Sequence, residues 1–396
     1  MSALGRRVAC ASVALLLAAP LFVACTGAPA PVPSAPPSRA VVAVDPVVQY
    51  AKDRLGVMTL DEKIRSMIMG HQSGVDATAL GRYVSDNGLG GLILMGDNMP
   101  ENPDALAAMA PIIAGEPGLP ALLALDQEGG IVRRIPTDDA LSALQLRSLP
   151  PGDAADAFAT RGTLLESAGI TVNFGIVADV AADPASFIYD RSLGSTAQDA
   201  AERVAAAVHG ERGHVLSALK HFPGHGAATG DSHSSIPRTP MPIEQWRAEH
   251  APPFEAGIAA GAQLVMLGHL QFDSIDAVPA TLSARWHQIL RDELDFDGIT
   301  ITDDMNMLED SGSPEYAQQA QNAVLAVAAG NTMLLYVQDV DVPAVVARVH
   351  AAVDDGTIPL TTIDEAAQKL LIARRTLSGE TGRFVHCSKK CLAIID

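Results

Sequence analysis

Three histidines, a lysine and an aspartate crowd into fourteen residues, Lys220-His221-Phe222-Pro223-Gly224-His225-Gly226-Ala227-Ala228-Thr229-Gly230-Asp231-Ser232-His233. Pro223 and the glycines Gly224, Gly226 and Gly230 rule out a helix and weaken a strand, so the stretch is an irregular loop. Two chemistries suit its side chains. Asp231 precedes His233 by two residues, near enough to hydrogen-bond a ring nitrogen, fix the tautomer and raise the imidazole's basicity for acid/base work. By itself an Asp-x-His pattern is more often a turn aspartate bonding its own backbone. The second chemistry is zinc binding by His221, His225, Asp231 and His233. His221 and His225 have the i, i+4 spacing of a helical ligand pair, but Pro223-Gly224 removes the helix that would aim both at one ion. Acid/base use of Asp231 and His233 is the better fit, with no metal and no cofactor implied.

Other polar residues gather at similar places. Asp126-Gln127-Glu128-Gly129-Gly130 is followed by Arg133-Arg134, and carboxylates with arginine in a glycine-flanked turn can hold sugar hydroxyls by paired hydrogen bonds. A structural ion pair at the base of a loop explains these residues equally well. Tyr189-Asp190-Arg191-Ser192 is a second such cluster. In Asp303-Asp304, alternation along a strand sends one carboxylate to each face, so one can enter a site while the other caps the next helix.

The elements that must position these groups follow from hydrophobic pattern. Eight short apolar runs, 67–69, 91–95, 121–125, 170–174, 215–219, 264–267, 299–302 and 333–337, alternate with helix-length amphipathic stretches. Thr59-Leu60-Asp61-Glu62 is a capping box opening the helix before the first run. Continuous apolar strands separated by helices predict a parallel sheet, and eight repeats suit a (β/α)8 barrel in the α/β class, one catalytic domain over 45–380. An open doubly wound sheet shares that periodicity. Position favours the barrel: His71, Asp97, Asp126, Asp179, Lys220-His221, His269, Asp303 and Gln338 sit just after the runs, and in a barrel those ends meet on one face.

The chain has 396 residues and a net charge of −19, which disfavours nucleic acid or an anionic membrane face as a partner. Arg6-Arg7, an apolar run over 8–24 and Phe22-Val23-Ala24-Cys25 read as an export signal. Cys25 resembles the lipid acceptor of a bacterial lipobox, with Phe22 where leucine is usual; an ordinary signal peptide or a single span are the alternatives. Prolines over 26–44 make an extended tether. The expected location is extracytoplasmic, on a membrane through a lipid anchor, as a monomer. Cys387 and Cys391 remain for the mature domain, in a tail over 381–396 for which an inert role is favoured over a local disulfide or half a metal site.

Taken together, the loop from Lys220 to His233, Asp126-Gln127-Glu128-Gly129-Gly130, Asp190-Arg191-Ser192, the segment Ile301-Thr302-Asp303-Asp304-Met305-Asn306-Met307 and Met58-Thr59-Leu60-Asp61-Glu62-Lys63 resemble glycoside hydrolase family 3, in its β-N-acetylglucosaminidase branch. The resemblance runs from about Asp45 to Ser378; Ala227-Ala228 departs from the residues usual there. It implies hydrolysis of terminal β-linked N-acetylglucosamine with retention. Asp303 matches the nucleophile and His233, oriented by Asp231, the general acid/base. Asp126, Arg134, Arg191, Lys220 and His221 match residues that grip the sugar, and His269 is expected among them. Cell-wall fragments carrying N-acetylglucosamine on N-acetylmuramic acid are the expected substrates. A phosphorylase using the same residues, or a tethered lipoprotein that binds sugar without cleaving it, are the alternatives.

Overall fold

The computed structural model describes residues 45–102 and 104–385. The export signal, Cys25, the tether over 26–44, Cys387 and Cys391 lie outside the described residues. Eight parallel strands form one sheet: β1 (Ile68–Gly70), β2 (Gly91–Ile93), β3 (Leu122–Leu125), β4 (Val172–Val177), β5 (Leu216–Phe222), β6 (Leu264–Leu267), β7 (Ile299–Thr302) and β8 (Leu334–Leu335). Strands β1 to β7 pair in sequence order and β8 pairs with β1, Ile68 opposite Leu334. The seam between β7 and β8 is closed by a parallel bridge of Ile301 and Met333 and by Thr302 N–H donating to the Met333 carbonyl at 3.1 Å. This is the expected (β/α)8 barrel, each strand falling on one of the eight apolar runs.

Strand residues are buried almost without exception, because helices cover the outside and side chains fill the inside. The capping box forms as read: Thr59 N–H donates to Glu62 Oε2 at 2.7 Å, and Glu62 N–H to Thr59 Oγ1 at 3.3 Å. Two departures matter for function. Strand β4 runs on to Val177, and β5 continues through Lys220, His221 and Phe222, where the sequence pattern predicts the start of a loop. A register shift between Leu219 and Phe222, opposite β6, accompanies that extension. Lys220 and His221 therefore stand on the barrel itself. The described start of the tail packs against the body, with Phe384 edge-on to Tyr50 at 5.7 Å.

Beneath the Pro223 turn lies a cluster of Phe222, Trp246, Phe254, Phe272 and Trp286, whose rings meet edge to face at 4.8–5.9 Å. Trp246 donates its indole N–H to the Pro223 carbonyl at 2.7 Å, pinning the root of the loop. A second support lies under the β3 turn. Arg161, fully buried, donates to Asp138 Oδ2 at 2.7 Å, and Gln127 donates to the same oxygen at 2.9 Å. The other end of Gln127 accepts from the amides of Arg134 and Ile135. The pair thus sets the backbone from which Arg134 projects. Removing one partner of a buried ion pair leaves an uncompensated charge, so Arg161→Met should cost about 3–5 kcal/mol in chemical denaturation. A loss below about 1 kcal/mol would remove the pair from the structural account.

Candidate active site

At the C-terminal ends of the strands a pocket of about 270 Å³ opens, lined by Asp126, Glu128, Arg134, Arg191, Lys220, His221, His233, Asp303 and Asp304, with Phe187 and Val337 among the apolar walls. It falls just below the roughly 300–1,000 Å³ of sites for drug-sized ligands, a size suited to one sugar ring. Its wall is a cluster of alternating charges. Lys220 Nζ lies 3.0 Å from Asp126 Oδ1 and 2.6 Å from Glu128 Oε1. Arg134 donates to Asp126 Oδ2 at 2.8 Å, and Arg191 clasps Glu128 with two bonds of 2.7 and 2.9 Å. Burial by itself would raise both carboxyls. The charges of Lys220 and Arg134 outweigh it and bring Asp126 to about 2, and Lys220 with Arg191 holds Glu128 below its usual range. Three cations against two carboxylates leave the wall with fixed donors for hydroxyl and carbonyl oxygens.

Asp303 and Asp304, just past the end of β7, both reach the pocket lining but make different bonds. Asp304 Oδ1 accepts from the amides of Asn306 and Val337, capping the next turn. Asp303 Oδ1 accepts from the Asp304 amide at 2.8 Å. Burial raises both. For Asp303 the imidazoles of His221 and His269 more than reverse it, holding the carboxyl below its usual range, whereas burial and the neighbouring Asp303 leave Asp304 near 7. One carboxyl is thus favoured in its ionised form and its neighbour titrates around neutrality.

The Asp231 and His233 pair forms: Nδ1 lies 2.6 Å from Asp231 Oδ1, which also accepts from the His233 amide at 3.0 Å. The carboxylate accepts a hydrogen bond from Nδ1–H and leaves Nε2 for chemistry. Asp231 therefore makes both the turn bond and the ring bond that had been weighed against each other. The loop is threaded tightly: Gly224 has φ +125°, and a Cβ at Gly226 would lie 1.8 Å from the Val180 carbonyl oxygen. The Lys220–His221 and Phe222–Pro223 peptides are cis. Among the described residues no group of three His, Cys, Asp or Glu is arranged to hold a metal ion.

Asp126, Arg134, Arg191, Lys220, His221, His233 and Asp303 come together at one pocket, with Asp231 behind His233. His269 lies outside the lining: it is buried and its Nε2 donates to the Asp304 carbonyl at 2.8 Å, so it supports the carboxylate turn from behind. Two residues named at the strand ends were given no individual role from sequence. Glu128 sits two residues after Asp126, and strand spacing puts the two on one face. Asp179, fully buried at the end of β4, accepts from His221 Nδ1 at 2.8 Å and from the amides of His221 and His225. Its position after the fourth run was the available signal.

The profile described as "Glycosyl hydrolase family 3 N terminal domain" matches residues 59–373. "Beta-hexosaminidase LpqI" of Mycobacterium tuberculosis is 30% identical over 380 residues, 90% of this chain and 95% of that one. A solved structure of M. tuberculosis LpqI superposes with a TM-score of 0.73 at 26% identity, covering 83% of this chain and 95% of that one. A family 3 β-N-acetylglucosaminidase from Paenibacillus superposes with a TM-score of 0.75 at 29% identity, covering 85% of this chain but only 66% of that longer one.

The split between the two carboxyls can be measured. Asp304 has its folded pKa raised above the ordinary value, so its protonated form stabilises the fold at pH below that ordinary value, and the benefit is lost as pH rises toward about 7. Between pH 4 and 7 the unfolding free energy of Asp304→Asn should therefore rise relative to the parent by roughly 3 kcal/mol, each pKa unit being worth about 1.4. A pH-independent difference between the two proteins would refute the assignment.

Proposed function

The chain belongs to glycosyl hydrolase family 3 and is a glycoside hydrolase, and we propose that it is a retaining exo-β-N-acetylglucosaminidase that removes terminal N-acetylglucosamine from cell-wall fragments. The observation that carries this reading is the company kept by one small pocket: an ionised Asp303, an imidazole backed by a carboxylate, and a charged wall. Binding without cleavage would need neither of the first two.

In the proposed reaction Asp126, Arg134, Arg191, Lys220 and His221 hold the hydroxyls of the terminal sugar. Asp303 attacks the anomeric carbon as the bond to the leaving oxygen breaks, and protonated His233 gives that oxygen its proton from Nε2. A glycosyl ester on Asp303 remains. The now neutral imidazole takes a proton from water, whose oxygen attacks the same carbon and restores Asp303 with net retention. Asp231 holds the ring and steadies its charged form. Asp304, its carboxyl raised to about 7 and its Oδ1 engaged by two backbone amides, is poorly suited to orient the substrate's acetamido group as a free anion, which favours direct attack by Asp303. Export on a lipid at Cys25, with 26–44 as tether, would place the pocket among cell-wall glycans. The phosphorylase alternative draws on the histidine acid/base, which repels an incoming anion less than a carboxylate does.

Residues 45–380 should release phenols from aryl β-N-acetylglucosaminides far faster than from β-glucosides, in water and without phosphate. Equal rates on both sugars would sink the proposed specificity, and a requirement for phosphate, with sugar 1-phosphate as product, would establish the phosphorylase. A slow fluorinated N-acetylglucosaminyl substrate should leave sugar on the peptide containing Asp303, seen by mass spectrometry. No adduct, together with tight inhibition by a thiazoline mimic of the acetamido ring, would pass the nucleophile's role to the substrate.

A further inference from the structure

The proposed acid/base stands on the least enclosed part of the site, the side chains of His233 and Asp231 being 64% and 48% exposed. Its hydrogen bonds are local. Asp231 accepts from the amide and ring of His233, and its carbonyl accepts from Ser234 N–H and from the Ser235 hydroxyl at 3.0 Å. These bonds shape the turn without fixing its distance from the sugar pocket. Among the described residues, one hydrogen bond leads out of the stretch 229–236: that between Ser232 Oγ and His225 Nε2, at 3.0 Å.

Both ends of that bond are buried, His225 at 1% exposure and Ser232 at 3%. His225 is itself held fast. Its amide donates to Asp179, the carboxylate that also takes the amide and ring of His221, and its ring meets Phe187 at 4.4 Å. The same Phe187 stands edge-on to His233 at 6.4 Å. Ser232 is the covalent neighbour of His233, so an interior anchor reaches the exposed imidazole through a single peptide link.

We infer that the His225–Ser232 hydrogen bond is a latch that sets how far His233 stands from the leaving oxygen, making both residues positioning residues for proton transfer. The inference rests on the acid/base role proposed for His233. With the latch broken the turn keeps its own shape but swings between Gly230, whose φ is +115°, and Ile236, where packing against the core holds the chain again. Proton donation then waits on a rarer alignment, while attack by Asp303, on a different strand, is unaffected.

The test compares Ser232→Ala, Ser232→Thr and His225→Gln with His233→Ala on two substrates, dinitrophenyl and methyl β-N-acetylglucosaminide. Full removal of an acid/base is worth about a hundredfold or more. Loosening it should cost Ser232→Ala and His225→Gln about tenfold more in kcat on the methyl than on the dinitrophenyl glycoside, with Ser232→Thr recovering most of the loss. In hydrogen exchange, amides of 230–235 should speed up in Ser232→Ala while those of β5 stay protected. A loss equal on both substrates, or no faster exchange in the turn, overturns the latch. If His233→Ala itself shows no leaving-group dependence, the acid/base reading fails instead, and the exchange result still decides the latch.

Discussion

Everything at the barrel mouth depends on the mutual neutralisation of Asp126, Glu128, Arg134, Arg191 and Lys220. A buried carboxylate or ammonium without a partner carries a desolvation cost of several kcal/mol, and Lys220 and Glu128 each have only 2% of their side chain exposed. Loss of either carboxylate strands its arginine, and loss of any cation leaves a buried carboxylate with one partner fewer. The charges come from three segments: the turn after β3, the helical turn Tyr189–Arg191 after β4, and β5 itself. The cluster thus ties the spacing of those three segments to electrostatics, and the pocket has one shape because the charges have one satisfactory arrangement.

A gradient of order runs outward from it. Lys220 and His221 belong to a strand, and Asp179 grips His221 and His225 together. Trp246 holds the Pro223 carbonyl over a bed of aromatic rings, pairs that contribute roughly 0.5–1.5 kcal/mol each beyond their buried area. Only past Gly226 does the chain reach solvent. The nucleophile candidate is thus placed by the barrel and the acid/base candidate by a turn, so the two have different freedom to move. That suits a reaction in which one group forms a bond to carbon and the other serves first a leaving oxygen and then a water.

Much of this was legible in the sequence for identifiable reasons. Eight apolar runs mark strands buried on both sides, and polar residues after the runs mark the open face, since only there can they escape the core. Alternation at Asp303-Asp304 suggested one capping carboxylate and one facing the site; Asp304 does cap the next turn, yet both reach the pocket lining. Pairing was less legible. Glu128 and Asp179 were visible as polar residues at strand ends, but the partners of Glu128, Arg191 and Lys220, lie 63 and 92 residues away, and those of Asp179 lie on β5 and the loop after it, so neither pairing could be read from spacing. His269 was expected at the sugar because it follows β6, yet it is buried behind the carboxylates, a difference of depth that no periodicity reports. The glycines and prolines after Lys220 suggested an early end to β5, but strand pairing to β6 carried it on to Phe222.

The aromatic bed has a spectroscopic consequence. The chain has two tryptophans, and both, Trp246 and Trp286, lie in that bed 4.8 Å apart between ring centres. Their emission therefore arises from one spot, directly beneath the turn that leads to His233, with one indole bonded to the backbone of that turn. The protein carries its own fluorophore pair at the root of the loop that bears His233, and tryptophan emission from the unlabelled molecule reports on that root.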